Sequence, residues 1–358
     1  MADPAFTSRA VRLKQNPHSP FKKKHIRIAQ FLCALTVSCF WRANFFLPTT
    51  SLQLSDQTML RLGIVDLDSS HSVEFSRRFN HAGVDREQWV EGAQVVAAWS
   101  GGSMMAPERV AGFQAELESI GIPIVDSREQ LMERIDGVLI LSLCGDCHLE
   151  RARPFLAAGI PTFVDKPFAC SVSDAREIIK LAQQNQTTLL NSSALRFSQE
   201  VNDSAFQNQR LGKTNGAITY GPAKRADGNP GLFHYGIHSV ELLFELLGSG
   251  CETVSTTWSE EAEVVTGVWS DGRIGTVRGN RTGVTSYGFV AYCDDGVVSE
   301  TVSTRFAYRN LCREIVRTFE SKQPSVTHES SLDVVRFVLA SLQSERSGGQ
   351  PVLLRDIN

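Results

Sequence analysis

The sequence carries no surplus of charge: 36 Lys and Arg stand against 39 Asp and Glu, a formal net charge of −3 over 358 residues. No basic stripe appears beyond the first 58 residues, so the electrostatic footprint of a nucleic-acid binder is missing. Cysteine is sparse and scattered, with eight residues (Cys33, Cys39, Cys144, Cys147, Cys170, Cys251, Cys293 and Cys312) in a chain too large to need disulfide staples, and reduced thiols are the simpler reading. Cys144-Gly145-Asp146-Cys147 has redox or metal spacing, but no second Cys pair or nearby His pair completes a zinc site, and no metal is expected. There is no internal repeat. Nor is there an apolar run long enough to span a membrane: Ile28 to Trp41 would reach only about 21 Å as a helix, against a hydrocarbon core of roughly 30 Å.

What is there is ordinary globular composition, 42% hydrophobic and 21% charged, in a chain long enough for two domains. Residues 1–58 stand apart. The basic tract Lys22-Lys23-Lys24-His25-Ile26-Arg27 followed by Ile28 to Trp41 resembles the n-region and h-region of a signal peptide, yet no small-x-small cleavage site follows. The alternative is an extension outside the working protein, with Met59 as the true start. A cytoplasmic protein is the first expectation, and an exported or membrane-tethered one the alternative should residues 1–58 be a genuine signal.

From Leu60 the pattern alternates strand and helix. Strands are expected at Leu62–Val65, Ala93–Trp99, Ile122–Val125, Gly137–Ser142 and Thr162–Val164, and helices at Ser72–His81, Pro107–Ser119, Arg128–Arg134, His148–Ala158 and Ser173–Gln184. Short connections between them predict an α/β, Rossmann-type doubly wound parallel sheet over 59–188. Beyond it, runs at Thr253–Trp258, Val264–Trp269, Ile274–Arg278, Ser286–Cys293 and Val297–Val302, separated by turn signals, predict a C-terminal α+β domain over 189–358 with a large, mainly antiparallel open sheet. Helices at Arg305–Glu320 and Ser330–Ser344 are expected to pack back on the first domain.

The chemistry concentrates at Phe163-Val164-Asp165-Lys166-Pro167-Phe168, where a run of β-formers ends in an acid, a lysine and a proline. Ligands of open α/β sheets bind at the carboxyl ends of the strands, where this lysine falls. The bland alternative is a solvated lysine ahead of a helix-opening proline. Three motifs in order, Asp165-Lys166-Pro167-Phe168-Ala169, His148-Leu149-Glu150-Arg151-Ala152 ahead of Ala158-Gly159, and Gly236-Ile237-His238-Ser239-Val240-Glu241, together resemble the Gfo/Idh/MocA family, the glucose-fructose oxidoreductase and inositol dehydrogenase type, over about residues 60–355.

That resemblance implies an NAD(P)-dependent oxidoreductase acting on a sugar or polyol, with NAD or NADP as cofactor and a homo-oligomeric assembly. It implies that Lys166 hydrogen-bonds the substrate hydroxyl beside the nicotinamide and that His238 accepts the proton. Where the family usually has Asp four residues before that histidine, this chain has His234, expected to share a helical face with His238. Arg196 and Tyr235 are expected to meet the substrate; both could equally be interface packing. A non-catalytic or altered-function member of the same fold, binding a sugar-like ligand without productive dinucleotide binding, is the alternative.

The glycine fingerprint of the family is missing. Aligning the first strand puts Asp66, Asp68 and His71 at its three glycine places, where glycines admit the pyrophosphate backbone. A carboxylate aimed at the phosphates would cost on the order of 4 kcal/mol per close pair, whereas one turned away would cost far less. Asp68, Ser69, Ser70 and His71 still lie near a helix N-terminus and are expected, with Ser100, Asp165 and Lys166, to contact the cofactor. Asp68 or Ser70 could instead serve as a helix cap. At Ser100-Gly101-Gly102-Ser103 the acid that usually binds the ribose of NAD is absent, which leaves NAD and NADP both open.

Overall fold

The structure is a computed structural model that describes residues 59–202 and 210–358. The basic and apolar tracts between residues 22 and 47 lie outside the described residues. Among the described residues no helix is long and apolar enough to cross a membrane.

Five strands, β1 (Leu60–Val65), β2 (Ala93–Trp99), β3 (Gly137–Ile140), β4 (Thr162–Val164) and β5 (Leu189–Asn191), form one parallel sheet in the order β2-β1-β3-β4-β5. Every residue of β3, β4 and β5 is buried, as uninterrupted apolar runs require when helices cover both faces of a sheet. The crossovers carry α1 (His71–Phe79), α2 (Pro107–Ser119), α3 (Arg128–Met132), α4 (His148–Ala157) and α5 (Val172–Gln184). Pro107 opens α2, where its missing N–H costs nothing, and Ser171 caps α5 by accepting from the Asp174 N–H at 3.1 Å.

The strand expected at Ile122–Val125 is reduced to one bridge, Ala98 to Ile124, held by Ala98 N–H on Pro123 O and Val125 N–H on Ala98 O. Pro123 has no N–H to extend the ladder. Counting that bridge, the order is the 3-2-1-4-5-6 of a dinucleotide fold, with its direction reversing between β1 and β3.

The second sheet has seven strands in the order β11-β10-β6-β9-β8-β7-β12: β6 (Thr214–Pro222), β7 (Cys251–Trp258), β8 (Ala262–Trp269), β9 (Ile274–Asn280), β10 (Tyr287–Cys293), β11 (Gly296–Val302) and β12 (Val352–Leu353). All its pairings are antiparallel except β6 with β9. β6, the third strand in that order, was not foreseen: Gly216, Gly221 and Pro222 disguise it as a loop. One face buries Val254, Val265, Val277, Ala217 and Phe289 beneath α7 (Ile237–Leu247) and α9 (His328–Arg346). The other leaves Val268, Ile274, Tyr292 and Val297 exposed. A short helix, α6 (Gln199–Asn202), follows β5. Helix α8 (Ala307–Ser321) buries Leu311, Cys312, Ile315 and Phe319 at helical spacing and packs on α1, while α9 packs on α5.

Candidate active site

Strand β4 ends at Val164, and Asp165 N–H still donates to Ile140 O of β3 at 2.9 Å, so the next residues emerge at the carboxyl edge of the sheet. Asn191, ending β5, holds this turn by donating to Val164 O and Asp165 O at 2.8 and 3.2 Å. The Lys166–Pro167 peptide is cis. Lys166 is 8% exposed, and among the described residues its ammonium makes no hydrogen bond or ion pair.

Asp165 is 1% exposed and fully engaged. Its Oδ1 accepts the Lys166 backbone N–H at 2.8 Å and its Oδ2 meets His71 Nδ1 at 2.6 Å. Burial alone would raise its pKa, but the charges of His71 and Lys166 and these hydrogen bonds bring it down to about 2. His71, at the third glycine place, begins α1; its ring stacks on Phe75 with centroids 5.0 Å apart and its Nε2 reaches the Tyr308 hydroxyl at 3.2 Å. Burial first, then the charge of Asp165, pushes the Tyr308 hydroxyl up to about 12.

His238 lies in the first turn of α7, its Nδ1 2.7 Å from Ser193 Oγ and its ring edge-on to Tyr287. Burial, with the nearby charges of Lys166 and His71, holds its pKa well below the ordinary histidine value, so the ring is neutral near pH 7. The expectation of a shared helical face with His234 is corrected. His234 closes the Gly231–Phe233 turn with ψ of −96° and lies outside α7, which begins only at Ile237 after Gly236. Ser193, and not His234, is the partner of His238. His234 crosses the Tyr235 ring edge-on, and burial followed by Lys166 and Lys224 lowers its pKa.

Lys166, His234, His238 and Tyr235 nonetheless line one cavity of about 160 Å³, closed on its other side by Ser69, Ser70, His71, Arg109, Leu143 and Tyr308. Four other expected contacts lie elsewhere. Asp68 is 2% exposed and turns its carboxylate into the protein, accepting from Ser103 Oγ at 2.6 Å and Leu143 N–H at 2.9 Å; burial raises its pKa. Ser100 Oγ accepts the Gly102 N–H of its own loop. Asp165 sits behind His71 and does not reach the cavity. Arg196 is 3% exposed and its guanidinium is spent on Glu241, Glu245 and Ser330 at 2.5, 3.1 and 3.4 Å, so it braces α7 and α9 and is not placed to touch a substrate. Ser70 offers no side-chain cap to α1.

Asp66 keeps the left-handed backbone of the glycine it replaces, with φ of 68°. Its buried carboxylate accepts from Gly101 N–H at 2.7 Å, Ser142 Oγ at 2.5 Å and Arg151 Nε at 2.8 Å. Arg151 also donates to Gly101 O and pairs with Glu150, and a Cβ on Gly101 would collide with this guanidinium. Arg128 and Arg151 both lie against the Trp99 ring, 5.8 and 5.6 Å from its centroid. Elsewhere, a hydrogen bond with Cys147 pulls the Cys144 thiol down to about 6. Among the described residues no cluster of three or more His, Cys, Asp or Glu could hold a metal ion.

Comparison with known proteins bears on this arrangement. Residues 74–192 match the Gfo/Idh/MocA family model, described as an oxidoreductase family with an NAD-binding Rossmann fold. Over these residues the family read from the sequence is borne out. A curated Salmonella typhimurium protein, "Putative oxidoreductase YceM", is 30% identical over 139 residues, 39% of this chain and 40% of its own length, so the chain spans well under half of that relative. Among solved structures, scyllo-inositol dehydrogenase from Lactobacillus casei with NAD(H) and scyllo-inositol superposes with a TM-score of 0.68 at 13% identity, covering 83% of this chain and 99% of that one. A myo-inositol dehydrogenase from Corynebacterium glutamicum gives 0.68 at 16%, with the same coverage. At such identities the likeness is one of fold. Ser193, Tyr308 and Arg109 were not anticipated: none belongs to the three motifs, and the fold gathers them, Ser193 against α7, Tyr308 from α8 and Arg109 from α2.

Proposed function

We propose that the chain is a nicotinamide-dependent oxidoreductase that transfers a hydride between NAD or NADP and a sugar, polyol or related hydroxyl compound. The observation that carries this reading is the convergence of Lys166 and His238 on one cavity at the carboxyl edge of the parallel sheet, 72 positions apart in sequence yet lining the same small space. In this reading residues 59–188 hold the cofactor and residues 189–358 the substrate. The fit of a dinucleotide is helped by the placement of Asp66 and Asp68, whose carboxylates are partnered and turned into the protein. That leaves Ser69, Ser70, the start of α1 and Arg109 to receive phosphate.

The bound cofactor would supply the hydride acceptor or donor. The Lys166 ammonium would donate a hydrogen bond to the substrate oxygen and stabilise it as its proton leaves. In the tautomer whose Nδ1–H donates to Ser193 Oγ, His238 Nε2 is free to take that proton, and its lowered pKa keeps it unprotonated. The protein would work in the cytoplasm, and as a homo-oligomer joined through the open face of its second sheet.

Titration of the full chain with NADH and NADPH, followed by nucleotide fluorescence, tests the reading. Binding in the micromolar range, weakened by Lys166→Ala, is expected; no binding up to millimolar nucleotide would overturn it. That negative result would favour a second reading, a ligand-binding member of the fold without productive dinucleotide binding. The His71 side chain at the third glycine place, paired with Asp165, touching Tyr308 and lining the cavity, speaks for that alternative.

A further inference from the structure

The cavity is small and one-sided in charge. At about 160 Å³ it falls below the roughly 300–1,000 Å³ of pockets for drug-sized ligands, so it suits a small molecule or one end of a larger one. Lys166 as a residue is more than nine-tenths buried, its ammonium has no hydrogen-bond or ion-pair partner among the described residues, and Arg109 adds a second cation to the cavity lining. The adjacent acid, Asp165, interacts with the Lys166 charge but makes no hydrogen bond or ion pair with its ammonium. Asp165 has one oxygen on the Lys166 backbone N–H and the other on His71, and it lies behind that ring. A buried, unpaired cation is costly, and a neutral polyol would leave it without a counter-charge.

We propose that the substrate of this site is an anion, a small hydroxy acid of the sugar-acid type whose carboxylate neutralises Lys166 beside His234 and His238, while Ser69, Ser70 and Arg109 stay with the cofactor phosphate. The three donors of an ammonium serve both oxygens of an α-hydroxy carboxylate, the alcohol that reacts and one carboxylate oxygen, so charge recognition and the role given to Lys166 above use the same group. The inference rests on the oxidoreductase reading for what happens to the alcohol, but not for the binding of the anion. The same cations would also attract the phosphates of a dinucleotide, and the experiment has to separate the two sources.

The full chain is titrated calorimetrically with gluconate, with myo-inositol as its neutral counterpart, and with inorganic phosphate, each with and without saturating NADH or NADPH, alongside Lys166→Met. Gluconate is expected to bind at least about tenfold more tightly than myo-inositol, a difference of about 1.4 kcal/mol. Lys166→Met should remove that preference while unfolding at or above the wild-type temperature, since it deletes an unpaired buried charge. Equal binding of gluconate and myo-inositol, or a preference that survives Lys166→Met, overturns the proposal. So does phosphate that competes with NADH or NADPH while gluconate fails to bind, because the anion would then be the cofactor's. Gluconate binding without any nucleotide binding keeps the anion site and removes the oxidoreductase reading, so the two failures are distinct.

Discussion

His71 stands where the dinucleotide fold ordinarily admits a glycine, and its imidazole makes a buried pair with Asp165 at 2.6 Å. The folded pKa of Asp165, about 2, lies below its unfolded value of roughly 3.9, so the unfolded chain takes up the proton first. The stability this carboxylate contributes through His71, the Lys166 charge and the Lys166 N–H together, on the order of 2 kcal/mol, is present above about pH 4 and lost as pH falls toward 2. Urea unfolding of wild type and Asp165→Asn between pH 3 and 7 should show the gap between them narrowing as pH falls; a constant gap would refute the pairing. Lys166 and His238 were legible in the sequence because each sits in a short motif at a strand or helix end. The pairing of His71 with Asp165, 94 residues apart, was not, because nothing local marks a histidine as the partner of a distant acid.

Helices with a long apolar stripe were readable to within a residue or two, as α2 and α5 show. β6 was not, since its place between β9 and β10 is conferred by neighbours and not by its own glycine-broken pattern. The same limit explains His234: spacing of four suggested one helical face, but the helix begins only at Ile237. Arg196 belongs at this scale too, tying the turn after β5 to α7 and α9. Arg196→Met should cost about 3–5 kcal/mol, as loss of one partner of a buried ion pair does. The dissociation constants for nucleotide and gluconate should change by less than about twofold, sites without shared partners being nearly additive. Should Arg196→Met fail to fold, Arg196→Lys, which keeps the charge, makes the same comparison; a large loss of affinity in a folded variant would return Arg196 to the substrate site.

Across the molecule, Asn229 links the two halves, accepting from Gly145 N–H at 3.0 Å and donating to Leu143 O at 2.8 Å beside the cavity. The open face of the second sheet puts Val268 opposite Ile274 in neighbouring strands, with Tyr292 and Val297 also exposed, an apolar surface suited to a second copy of itself. Sedimentation velocity should therefore show an assembly larger than the monomer, shifted to monomer by Ile274→Glu; a wild-type monomer at micromolar concentration would rule this contact out. The two sheets were foreseeable from the change of pattern near residue 190, but the asparagine that ties them beside the cavity was not. Trp99, one of five tryptophans, carries two guanidiniums against its ring at the carboxyl end of β2, on the same edge of the parallel sheet as Lys166 but three strands away. Its emission is thus a built-in optical gauge: a ligand that displaces Arg128 or Arg151 changes the spectrum, one confined to the cavity leaves it alone, and subtraction of a Trp99→Phe signal reads whether a ligand reaches along that edge from β4 to β2.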